Sequence, residues 1–232
     1  MFFPYYDPTY IILLPAILLA VFAQSRVQST YAKFSKVGNH RGMTGADAAR
    51  MILNRNGLSD VRIERVAGNL TDHYDPRTNV VRLSEGVYDS ASISAVGIAA
   101  HEVGHAIQHN TGYVPIKLRN TVLPAAQLGS ALAIPLIILG IIISSFSVLI
   151  PVGIILYAAV VLFQLVTLPV EFNASRRAVT TVYELGCLSE EETKGAKKVL
   201  SAAALTYVAA AASAILQLLR LVLLAGGSRR DD

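Results

Sequence analysis

The chain has 232 residues, enough for one or two ordinary domains, yet 53% of them are apolar, only 16% are charged, and the mean hydropathy is positive. A soluble protein of this size needs more charge to cover its surface, and the clustering of the apolar residues assigns much of the chain to lipid. The net charge of +4 is spread along the flanks of apolar runs and not gathered with aromatic residues, which argues against nucleic-acid binding. With Cys187 as the single cysteine, an intrachain disulfide and a Cys-rich metal site are both excluded.

The first element is the apolar run from Thr9 to Ala23, broken only by Pro15 and preceded by Tyr5 and Tyr6. These tyrosines, with Tyr10, suit a membrane interface. No signal-type cleavage site accompanies the run, so residues 1–25 are expected to form a retained transmembrane anchor. Arg26, Lys33, Lys36 and Arg41 follow. By the positive-inside tendency they put the next segment on the cytoplasmic side and the N-terminus outside.

Within residues 26–121, taken as one region, the character changes from about Gly38 to Tyr113 to that of a soluble domain. Thr44 to Asp47 has capping-box spacing, Ala48, Ala49, Ile52 and Leu53 form a helical stripe, and Gly57 is a stop signal. Val61–Val66 alternates as a half-buried strand does, and Val80–Leu83 reads as a second strand after the turn-rich Asp75–Asn79. Together they predict a small β-hairpin or sheet. A helix is expected from about Ser92 to Asn110, ending at Gly112.

The 47 residues from about Val122 to Leu168 contain no charge. That length suits two spans, with a turn at Ser144–Ser147 near Pro151, so 122–170 is expected to be a transmembrane hairpin. In 171–232, a polar helix through Glu184 breaks at Gly186. A last helix then opens on the Ser189 to Glu192 capping spacing and runs to about Ala225. Thr206, Ser213, Gln217 and Arg220 share one face of it, leaving open whether it crosses the membrane. Arg176, Arg177, Lys194, Lys197 and Lys198 read as cytoplasmic flanks of membrane helices.

The chemistry is concentrated in His101-Glu102-Val103-Gly104-His105. At 100° per residue the two histidines lie about 40° apart and one turn along the axis, so both imidazoles can converge on one metal ion. Glu102 is about 60° from His105, on the border of that face. It is badly placed as a ligand and well placed to take a proton from a metal-activated water. His109 lies about 12 Å from His101 along a straight helix, too far to share the metal, and reads as supporting or structural. Catalytic zinc sites keep three protein ligands and an open position. The candidates for the third are His73, Asp72, Asp75, Glu85, Asp89, Glu171 and Glu184. Glu171 stands out, because a carboxylate just beyond an apolar run needs a partner.

Five stretches, Leu70–Arg77, Val81–Ser84, Ala99–Gln108, Glu171–Ala178 and Ala202–Ala209, carry a resemblance that covers nearly the whole chain in one order. The chain resembles the YugP-like neutral zinc metallopeptidases of bacterial membranes, and more distantly the HtpX-type peptidases. The resemblance implies a mainly α, membrane-embedded, zincin-like (gluzincin-type) fold with a small β-hairpin or sheet and three or four transmembrane helices. It implies Zn2+ held by His101, His105 and Glu171, with Glu102 as base. Where the distant relatives have an Asp four residues after the Glu, this chain has Ser175, and Ser175 or Asn173 is the candidate to replace it.

The expected function is zinc-dependent hydrolysis of peptide bonds at the cytoplasmic face of a bacterial plasma membrane. The partners would be a polypeptide substrate and the lipid bilayer. The Asp75–Pro76 turn shapes a hairpin whose edge is a candidate for pairing with an extended substrate, with His73 or Tyr74 as candidate oxyanion donors. The rival is a non-catalytic membrane adaptor, chaperone-like, with a structural zinc or none. An intact Glu102 speaks against it, since a structural site does not need that carboxylate. A zinc hydrolase acting on lipid or another amide uses the same ligands.

Overall fold

The computed structural model describes residues 8–227; Tyr5 and Tyr6 lie outside them. A short 3-10 turn, Pro8–Leu13, leads into helix α1 (Leu14–Phe34), followed by α2 (Gly45–Arg55), strands β1 (Arg62–Val66), β2 (His73–Asp75) and β3 (Val80–Ser84), and the single turn α3 (Glu85–Tyr88). Four long helices complete the chain: α4 (Ile93–Asn110), α5 (Val114–Ile142), α6 (Leu149–Glu184) and α7 (Glu190–Gly227). The protein is therefore mainly helical with one small sheet.

The described residues divide into two compact units. One comprises Ala23–Ile116 and Pro169–Thr206, and its local structure follows from its caps and turns. Thr44 accepts from the backbone of Asp47 while Asp47 accepts from that of Thr44, a closed capping box, and Gly57 ends α2 with φ of +71°. The sheet has the order β1-β3-β2. β1 and β3, the two strands legible in the sequence, pair in parallel and so are not a hairpin. The hairpin is β2–β3, antiparallel, with β2 too short to show a pattern of its own. Its turn is built by Asp75, which accepts from the Arg77 backbone, the Thr78 hydroxyl and Arg82. The hydrogen bonds from Thr78, Arg82 and Arg77 hold the Asp75 carboxyl well below the usual carboxylate range. Asn79, at φ +54°, completes the turn and accepts from the Tyr74 hydroxyl.

The core of this unit forms around α4. Ile52 and Leu53 from α2, Val81 and Leu83 from β3, Val96 and Val103 from α4, Val182 from α6 and Leu200 from α7 belong to one buried cluster. Because α4 has neighbours on several sides, buried positions run all round it and it shows no simple apolar stripe.

The other unit holds the described residues up to Phe22, Lys117–Leu168 and those from Tyr207 onward. Here α5 and α6 pack as a hairpin across a short turn that includes a 3-10 segment, Ser144–Phe146. Glycines permit the approach: a Cβ on Gly129 would fall 2.2 Å from the Leu156 carbonyl oxygen, and one on Gly153 2.7 Å from that of Ala133. Leu132, Ile138, Ile142, Val152, Ile155, Leu162 and Leu165 point outward, as lipid-facing residues do. Arg220 is buried, donates to the Thr9 hydroxyl at 3.1 Å and stacks on the Tyr10 ring. Among the described residues four helical segments are long and apolar enough to cross a membrane: Thr9–Phe34, Val114–Ile142, Leu149–Glu184 and Glu190–Gly226. The last helix is among them, and Pro169 lies inside α6 without ending it.

Gly45 gives a direct check on this packing, since a Cβ there would fall 2.3 Å from the Val87 carbonyl oxygen. Gly45→Ala is expected to destabilise the unit by about 1–3 kcal/mol, the usual cost of overpacking. Thermal unfolding of detergent-solubilised protein should show a lowered midpoint relative to wild type.

Candidate metal centre

Two helices build the site. Ser92 caps α4, its hydroxyl accepting from the Ala95 backbone, and two turns further on the helix presents His101 and His105 side by side. Their rings meet edge to face with centroids 4.7 Å apart and Nε2 atoms 3.2 Å apart. α6 supplies Glu171, which is 3% exposed. Its Oε2 lies 3.3 Å from Nε2 of His101 and 3.6 Å from Nε2 of His105. The approach of the helices depends on Gly104, where a Cβ would fall 2.9 Å from the Ala174 carbonyl oxygen.

The donor set fits zinc. With zinc–ligand bonds of about 2.0–2.1 Å, the corners of a tetrahedron lie about 3.3–3.4 Å apart. The three edges found here are 3.2, 3.3 and 3.6 Å. Two imidazoles and one carboxylate are also the ligand types of a catalytic zinc site with its fourth position open. Burial disfavours the charged form of His105, but hydrogen bonding to the facing Glu171 and the charge of Glu102 outweigh it and raise its pKa. The pocket attracts positive charge.

A chain of hydrogen bonds outside the triad fixes how His105 presents itself. Arg177 can only donate, and its Nε lies 2.8 Å from Asn173 Oδ1. That oxygen therefore accepts, so the group 3.0 Å away on Gln108 is its NH2, which also donates to the Val170 carbonyl at 2.8 Å. The Gln108 carbonyl oxygen then faces Nδ1 of His105 at 3.0 Å, which must carry the proton. Neutral His105 is left with a lone pair on Nε2, aimed at the centre of the triad. On the other histidine, Nδ1 of His101 lies 3.1 Å from the Ser175 hydroxyl. The two replacements considered for the missing Asp thus separate, Ser175 on His101 and Asn173 on Gln108.

Glu102 is 8% exposed, and no lysine or arginine among the described residues pairs with it. The other third-ligand candidates are elsewhere. Asp72 accepts from Ser84, Asp75 holds the hairpin turn, Asp89 pairs with Arg65, and His73 faces the Thr71 carbonyl from an exposed position. Glu85 and Glu184 are exposed. His109 is also exposed and meets the Tyr74 ring edge-on. The Tyr74 hydroxyl is taken by Asn79.

Sequence reasoning missed Gln108 as a partner of the site and read Arg177 only as a membrane flank. A glutamine three residues after His105 on a buried helix face was the available signal.

Fold and site together define a largely helical protein of membrane-spanning type with a two-histidine, one-carboxylate centre. The family model described as "Putative neutral zinc metallopeptidase" matches residues 9–226. The chain belongs to that family. A relative from Bacillus subtilis (strain 168), "Putative membrane protease YugP", is 50% identical over 209 residues, which are 90% of this chain and 92% of the relative. No solved structure matches the chain.

Replacing Gln108 by Leu should free the His105 ring while leaving His101, His105 and Glu171, the three candidate ligands, in place. Zinc affinity is expected to fall about 10–100-fold, the usual cost of losing such an outer partner. Competition with a fluorescent chelator would read it.

Proposed function

We propose that the protein is a membrane-bound zinc-dependent metalloendopeptidase that hydrolyses peptide bonds near the cytoplasmic membrane face. The observation that carries this reading is the convergence of His101, His105 and Glu171 on one zinc-sized triangle beside the buried Glu102. Zinc held by those three residues would acidify a water molecule and polarise the scissile carbonyl. Glu102 would take the proton of that water on a carboxylate oxygen as the water attacks, and pass it to the departing amine nitrogen. Gln108 and Ser175 would hold the two imidazoles in register throughout.

The cytoplasmic placement is supported by the basic residues after the first apolar run and by Glu171, which directly follows another such run. Membrane-associated or partly unfolded chains fit as substrates. β2 supports this as an edge strand on the same unit as the site, an edge on which an extended peptide would pair.

Two substitutions test the reading. Glu102→Gln should keep zinc near one per chain while cleavage of a quenched-fluorescent unfolded casein falls by about 10²–10⁴-fold. Unchanged cleavage would remove Glu102 from the mechanism and the enzyme reading with it. Glu171→Gln, at an unchanged elution profile, should instead lower the zinc content itself. Zinc retained there at full affinity would assign the third ligand to another residue.

A further inference from the structure

Within the unit that carries the site, α1 and α7 run antiparallel. A Cβ on Gly195 would meet the Phe34 ring at 2.8 Å, whereas Arg26 lines one hollow with Ser201, Ala202 and Leu205. Eight residues along α1 thus match about seven along α7. The hollow has a volume of about 410 Å³ and is lined, besides those four, by Lys194, Lys197 and Lys198.

Its charge is lopsided. Lys194 pairs with Glu190 at 3.2 Å and Glu191 at 2.6 Å, so it is largely neutralised. Among the described residues Arg26, Lys197 and Lys198 have no ion pair, and Lys198 feels only the longer-range field of Glu191. Three cationic groups from two helices therefore surround one concavity without matching carboxylates. Like charges held this close repel unless an anion joins them. The polarity is also graded along α7. The lysines and the Ser201 hydroxyl occupy its N-terminal side, and Ala202 and Leu205 lead toward the apolar remainder of the helix. A ligand matching both ends has an anionic head with several oxygen acceptors and an apolar tail.

We propose that this hollow binds the phosphate group of an anionic phospholipid, with Arg26, Lys197 and Lys198 on the phosphate oxygens and the acyl chain along Ala202 and Leu205. Arg26 supplies a planar two-pronged donor and the lysines supply point charges, a combination suited to a phosphodiester. The site is separate from the metal centre and does not depend on peptidase activity.

The test uses full-length protein in mild detergent, incubated with phosphatidylglycerol or phosphatidylcholine and read by native mass spectrometry. Wild type should retain phosphatidylglycerol in preference to phosphatidylcholine. Lys197→Gln with Lys198→Gln, and separately Arg26→Gln, should lose it by about fivefold per cation removed. Lys36→Gln with Arg55→Gln, an equal charge change on exposed residues outside the hollow, should leave retention unchanged. Free phosphate esters are tested by calorimetry with glycerol 3-phosphate. Binding of that compound alone, lost in the same variants, would uphold the phosphate site and assign it a soluble ligand. Equal loss in the Lys36 and Arg55 control, or no binding of either ligand to well-folded wild type, would overturn the proposal.

Discussion

The site depends on one close approach of two backbones, α4 at Gly104 to α6 at Ala174. Any side chain at Gly104 would meet the main chain of α6, with the Ala174 carbonyl oxygen 2.9 Å and its Cα 3.2 Å from the first added carbon. Such a contact cannot be relieved by turning a side chain, so the glycine sets how near the helices lie. Glu171 has a short side chain and reaches the two imidazoles only because of that spacing. The same device recurs on α4, where Gly97 faces Ala196 of α7. Where α4 meets α6 and α7 at these glycines the contact rests on close approach, while bulky residues such as Ile52, Leu53 and Leu83 fill its other sides.

Those polar contacts come largely from one helix. Glu171 and Ser175 are four residues apart on α6, as His101 and His105 are on α4, so each helix presents a pair from one face to the other. Asn173 and Arg177 repeat the spacing on α6 and close the chain of hydrogen bonds that ends on His105. Glu171, Ser175 and Asn173, the last of which orients Gln108 of α4, are thereby all set by the register of a single helix against α4. A slip of α6 by one residue would displace all of them together. This explains why a proline at position 169 is tolerated so near the site: the helix continues through it to Glu184, and the register survives.

Much of this was legible beforehand, for reasons that differ by element. The capping signals at Thr44 and Ser189 located two helix starts because capping is local chemistry, decided within four residues. The apolar stretch between Val122 and Leu168 announced two helices because its length exceeds one span. His101 and His105 were readable because helix geometry fixes their relation without any knowledge of the tertiary fold. The parallel pairing of β1 with β3 was not readable, because strand direction is set by the path of the intervening residues and β2 is three residues long. Glu171 could be ranked first among seven candidates from its place beside an apolar run, but its approach to the histidines is a tertiary fact. Gln108 and Arg177 escaped notice for the same reason: an amide and a guanidinium gain their roles only from what faces them.

Charge explains why Glu102 sits where it does. A buried carboxylate without a cationic partner costs several kcal/mol, and among the described residues neither lysine nor arginine pairs with this one. Glu171, buried beside the histidines, adds a second carboxylate to the same small region. Two carboxylates and a dication sum to zero, so zinc held at the triad would offset both at short range. A purely structural metal would need no second carboxylate, and replacing Glu102 by an apolar residue would then be the cheaper solution. Under the proposed mechanism the buried Glu102 would instead serve as the proton acceptor for a water held on that metal.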